Sequence, residues 1–84
     1  MNYTVVYLPS ATQQLAQLWI AAPDRAAITA AANAIDEELG RDPFSNSESR
    51  DGNRRIMVEI PLAVYYEVSE PDRLVTVQAV WRVD

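Results

Sequence analysis

The sequence predicts an α+β fold in two layers: a leading strand, a helical hairpin, then a meander of three antiparallel strands. Three observations carry that expectation. A Val- and Tyr-rich opening gives way to apolar residues at helical spacing between Ser10 and Leu39, and alternating spacing returns from Arg54 to Val83. Clusters of Pro, Gly, Asp, Asn and Ser separate these stretches. The length, 84 residues, leaves room for one domain over 1–84 with a two-layer core, because so short a chain buries only about 60 to 65% of its unfolded surface.

Asn2 to Leu8 reads as a strand with Tyr3, Val5 and Tyr7 on one face, and it stops at Pro9, which has no amide to give a ladder. Ser10 and Gln13 have the spacing of a reciprocal capping box at a helix start. Ala11, Leu15, Leu18, Trp19 and Ala22 form the stripe of that helix. Pro23 and Asp24 open a second helix, about Arg25 to Leu39, with Ile28, Ala31, Ala32, Ile35 and Leu39 facing inward and Gly40 placed for a left-handed C-terminal cap. Asp36, Glu37 and Glu38 make its solvated side. Gly40 to Asn53 reads as an exposed connection pinned by Phe44. In the first meander strand Ile56, Val58 and Ile60 alternate with Arg55, Met57 and Glu59, and Pro61 ends it. Leu62, Val64, Tyr66 and Val68 share a face of the next strand, Ser69 to Asp72 turn the chain, and Val75, Val77, Ala79 and Trp81 share a face of the last.

The 49% hydrophobic content exceeds that of disordered chains, and no apolar run approaches the ~20 residues that span a bilayer. With no export signal visible at Met1, a folded cytoplasmic protein without membrane attachment is expected. No cysteine and no histidine occur, so neither a thiolate metal site nor any cofactor is expected. The net charge of −5, from 12 acidic and 7 basic residues, argues against broad nucleic-acid binding, although all the basic residues are arginine and a local cluster would still make a positive patch.

Arg54 to Val83 carries a resemblance. An arginine on the strand before Pro61, the run Pro-x-x-Val-x-Tyr-x-Val at Pro61, Val64, Tyr66 and Val68, and Val-x-Val-x-x-Val at Val75, Val77 and Val80 resemble the C-terminal sheet of the RelE/ParE toxin superfamily of bacterial type II toxin-antitoxin systems. The helical hairpin and Asp42-Pro43 extend the resemblance over nearly the whole chain. It implies a compact toxin with a concave sheet face, held inactive by a cognate antitoxin that wraps its helices and sheet. Some members cut messenger RNA on the ribosome and others poison DNA gyrase. Nuclease members usually place a histidine or tyrosine near the C-terminus with several lysines; this chain has Trp81 there and neither histidine nor lysine.

Ribose 2′-hydroxyl attack needs a base, an acid and fixed positive charge at the phosphate. Arginine suits the third task, so Arg55 and Arg82, converging on one phosphate, are the candidate catalytic pair, with Arg54 beside them. Tyr65, Tyr66, Glu59 and Glu67 are the available proton-transfer groups. The plainer readings are that Arg54 and Arg55 are solvated strand charges and that Tyr65 and Tyr66 pack. Arg54, Tyr65 and, where exposed, Trp81 are candidate binding residues. The functional expectation is a toxin or toxin-derived component bound by its antitoxin; the alternatives are a ribosome-dependent mRNA endoribonuclease using Arg55 and Arg82, and a non-toxic interaction module of the same fold. A homodimer is expected if a long valine-rich strand lies at a sheet edge.

Overall fold

The computed structural model describes residues 2–83; Met1, where an export signal would begin, and Asp84 lie outside them. The elements run β1 (Thr4–Tyr7), α1 (Pro9–Ala21), α2 (Arg25–Arg41), β2 (Ser47–Ser49), β3 (Arg54–Glu59), β4 (Leu62–Ser69) and β5 (Leu74–Arg82). They form one five-stranded sheet in the order β1-β5-β4-β3-β2, with β1 parallel to β5 and every other pair antiparallel. The expected strand, hairpin and meander are all present. Among the described residues no helix is long and apolar enough to cross a membrane.

Both helices pack on one side of the sheet. Ile28, Ala31, Ile35 and Leu39 of α2 and Ala11 of α1 meet Met57, Leu62, Val64, Tyr66, Val68, Val75, Val77 and Val80 in one buried cluster. On β3 the inward set is therefore that of Met57, while Val58 faces out.

Several local expectations change. α1 begins at Pro9 with Leu8 as the residue before it and no side-chain cap, so the Ser10–Gln13 box is not formed; proline suits the first helical position because its missing amide would have no partner there. Gly40 lies inside α2, and its carbonyl accepts the Tyr3 amide at 2.8 Å, tying the helix end to β1 instead of capping it. Within the expected connection, Ser47–Ser49 pairs with β3 as an edge strand. Its polar Ser-Glu-Ser sequence has no apolar alternation to mark it.

The largest change lies in β5. Tyr65 pairs with Ala79 but Tyr66 pairs with Val77, so Gln78 is an extra residue in the ladder. This bulge keeps Val75 and Val77 inside, brings in Val80, and sends Ala79 and Trp81 to the opposite face from the one they were expected to share. The long valine-rich strand is also interior, between β1 and β4, which removes the expected reason for a dimer at its edge. Beyond Val77 it does lose β1 as a neighbour, and there the Val80 amide donates to Gln14 Oε1 of α1 at 2.9 Å, closing the exposed edge.

Candidate functional site

Among the described residues, two surfaces stand open. The first lies on the helical hairpin, where α1 and α2 meet the sheet but leave their outer sides open. Leu15, Ala16 and Trp19 from α1 face Ile28, Thr29 and Ala32 from α2 across an apolar groove of about 480 Å³. Trp19 is fixed in it: its indole N–H donates to Thr29 Oγ1 at 3.0 Å, and the Arg25 guanidinium lies 4.9 Å from the ring centre while donating to the carbonyls of Trp19 and Ile20. Ile20, at the rim, is 63% exposed. Most of this large aliphatic side chain is left uncovered among the described residues.

The second surface is the sheet face turned away from the helices. Pairing across the strands builds it in rows: Val58, Ala63 and Trp81 in one, Ile56, Tyr65 and Ala79 in the next, Arg54, Glu67 and Thr76 in the third. The sheet thus gathers Arg54, Tyr65 and Trp81, the three candidate binding residues, on one face. Over β3 to β5 two rows are apolar and the third holds one charge of each sign; at the β2 edge Glu48, ion-paired with Arg50, adjoins Ile56. Gln78 donates to Glu67 Oε1 at 3.2 Å.

Arg55 and Arg82 do not converge. Both lie on the helix side, but Arg55 pairs in register with Tyr66 and Arg82 with Leu62, four residues along β4, which is about 13 Å, with two strand spacings between them. Arg55 donates through Nε to Ser47 Oγ at 2.7 Å and lies 5.3 Å from the centre of the Phe44 ring, holding the loop before β2. Arg82 grips both Asp24 oxygens, at 2.9 and 2.8 Å, at the start of α2. That bond holds the Asp24 carboxyl below its ordinary range. Asp24 precedes α2 but gives it no side-chain cap, because the carboxylate is turned to Arg82. The shared phosphate hollow is thus not formed: each guanidinium is engaged at its own corner of the core.

Tyr66 is wholly buried and donates its hydroxyl to the Pro43 carbonyl at 2.6 Å. Burial raises its pKa, partly offset by Ser47 and Arg55 beside it, so at neutral pH the phenol is a hydrogen-bond donor and not a base. Pro43, also buried, anchors the loop, and Phe44 beside it lies edge-on to Tyr3 with ring centres 6.3 Å apart.

The whole architecture superposes on a chain of the RelBE2 toxin-antitoxin complex from Mycobacterium tuberculosis with a TM-score of 0.79, over 100% of this chain and 95% of that one, at 18% identity. The fold is RelE/ParE toxin-like. A chain of the archaeal RelE-RelB complex from Pyrococcus horikoshii aligns over 99% of this chain and 97% of its own at TM-score 0.61 and 15% identity. One of the chromosomal ParDE toxin-antitoxin system from P. aeruginosa aligns over 98% and 97% at TM-score 0.68 and 13% identity. No protein-family model and no curated protein sequence matches the chain.

Within the RelE/ParE toxin-like fold, the residues that sequence reasoning missed are those whose partners are remote in the chain. Gln14 and Val80 are 66 residues apart, and Asp24 and Arg82 are 58 apart. The groove was half visible: Trp19 and Ile28 were assigned to inward stripes, and both do line it.

Proposed function

We propose that this protein is the toxin-type component of a type II toxin-antitoxin pair, acting in the cytoplasm as a single domain, and that its defining activity is binding a cognate antitoxin. What supports the reading is the agreement of fold over the full length with chains taken from toxin-antitoxin complexes. The groove between α1 and α2 is the antitoxin's seat in this proposal. Its apolar floor suits the stripe of an amphipathic helix, with Trp19 and Ile20 as anchors.

Co-expression with the product of the small reading frame adjoining its gene tests this. A stable complex is expected, and Ile20→Glu weakens it by on the order of a hundred-fold, since it trades a buried isoleucine for a buried unpaired charge. Ile20 is mostly exposed, so the variant folds as the parent does. A complex formed equally by both proteins places the antitoxin elsewhere; no complex with either removes the reading.

A further inference from the structure

We infer that the open face of the sheet is a self-association surface, on which a second copy of this chain packs sheet against sheet. Outside the core the described residues form the hairpin groove, a smaller hollow between α1 and the end of β5, the Arg55–Tyr66–Ser47 cluster and this face. The groove already has an occupant in the functional proposal. The hollow, lined by Gln14, Leu18, Ala21 and Val80, adjoins a closed strand edge, and the cluster is fully engaged in holding the loop. Among the described residues, the sheet face is broad and largely apolar, and no helix packs on it.

Its composition selects the partner. Val58 is 51% exposed and Ile60 67%, and they border the Val58–Ala63–Trp81 row; one ordinary surface leucine needs no explanation, but adjoining apolar rows do. The chain carries a net charge of −5, so two copies repel over most of their surfaces. Here they do not. Most acidic residues lie on or beside α2, in the β2–β3 turn and in the β4–β5 turn, while this face holds Arg54 and Glu67, of opposite sign, and at its β2 edge Glu48, ion-paired with Arg50. A neutral apolar face on an acidic protein suits another neutral apolar face, and the same chain supplies one.

Symmetry makes the fit specific. A two-fold axis along β4 lays β3 of one copy over β5 of the other and keeps each row opposite itself. Trp81 then covers Val58 of the second copy, Ile56 covers Ala79, and Tyr65 meets Tyr65, an alignment within the range of about 30° that packed sheets keep. Five strands at about 4.8 Å by roughly six residues at 3.3 Å make a face near 480 Å² in plan, so two copies remove on the order of 1,000 Å² of accessible surface, the lower bound of a specific interface. A weak, concentration-dependent dimer follows. One juxtaposition opposes it: the axis brings Glu67 close to its own counterpart.

That defect gives the proposal a test with opposed signs. In sedimentation analysis of the purified protein across the micromolar range, the parent shows a monomer–dimer equilibrium. Val58→Glu raises the dissociation constant on the order of a hundred-fold, because symmetry buries the new charge twice. Glu67→Gln lowers it several-fold by removing the like-charge contact, and Ile20→Glu, on the groove, leaves it unchanged. Circular dichroism checks that each variant is folded, and Trp81→Ser replaces Val58→Glu should the latter fail to fold. A monomer at every concentration overturns the inference, as does a dimer that Ile20→Glu dissociates or that Val58→Glu and Trp81→Ser both leave intact. The antitoxin complex depends on the groove, so its loss or survival is read separately.

Discussion

Removing the Tyr66 hydroxyl probes the contact that fastens the β2 loop to the core. In Tyr66→Phe the ring keeps its volume, and only the bond to the Pro43 carbonyl is lost. A neutral hydrogen bond contributes a net ~0.5 to 1.5 kcal/mol, whereas a buried acceptor left with no donor costs ~1 to 3 kcal/mol. The structure decides between these figures. Ser47 Oγ also reaches the Pro43 oxygen, at 3.1 Å, so the carbonyl keeps one donor and the loss is about 1 kcal/mol. Ser47→Ala alone leaves the phenol in place and costs a similar amount, together with its bond from Arg55. The double variant strips the carbonyl of both donors, so its loss exceeds the sum of the singles by about 1 to 2 kcal/mol. The Arg55 contribution enters both Ser47 arms and cancels. Urea unfolding measures this directly: with a slope of roughly 1 kcal/mol per molar, each single shifts the midpoint by about 1 M. An unshifted Tyr66→Phe, or singles that add to the double within about 0.3 kcal/mol, would refute the shared-acceptor geometry.

Alkaline stability follows from the tyrosines. Burial, then the bond to Asp36, pushes the Tyr7 phenol well above its ordinary 10; burial raises Tyr66, and the bond to Glu70 raises Tyr3. The unfolded phenols ionise first, so the stability these groups contribute is complete below pH 10 and is lost as pH climbs from there toward the folded values. Tyr7→Phe should flatten that decline in unfolding free energy measured against pH; a parallel decline would contradict the assignment. Gln14→Ala leaves the Val80 amide without its acceptor on an edge that water reaches, and should lower stability by about 1 kcal/mol and Tm by roughly 4 to 8 °C, with Gln14→Glu close to the parent.

The order of elements and the inward stripe of α2 were legible because both rest on periodicity, which a single sequence displays. Ile28, Ala31, Ile35 and Leu39 recur at helical spacing, and Leu62, Val64, Tyr66 and Val68 alternate; each set is buried. The Gln78 bulge was legible in principle. Val75, Val77 and Val80 step by two and then by three, and a three-residue step in a strand of period two marks an inserted residue. Continuing strict alternation instead put Trp81 on the wrong face. The β2 strand left no trace, since Ser47, Glu48 and Ser49 are held by ladder bonds to β3 and not by burial of apolar side chains.

For the candidate site, Arg54, Tyr65 and Trp81 were chosen one at a time, and only strand pairing put them on a common surface. Arg55 and Arg82 were chosen for the chemistry of guanidinium, and that chemistry serves other partners. Arg82 meets a carboxylate 58 residues away, and Arg55 meets Ser47 on the short polar strand just before its own. Residue type signals neither pairing, because it shows what a side chain can hold and not which group the fold brings to it.

The most direct test of the account is growth under tightly controlled induction of this chain, with and without its adjoining reading frame. Arrest on induction, relieved by co-expression of the parent pair and not relieved when Ile20→Glu replaces the parent, is the predicted result. Unimpaired growth together with the absence of any complex with the neighbouring product would contradict it.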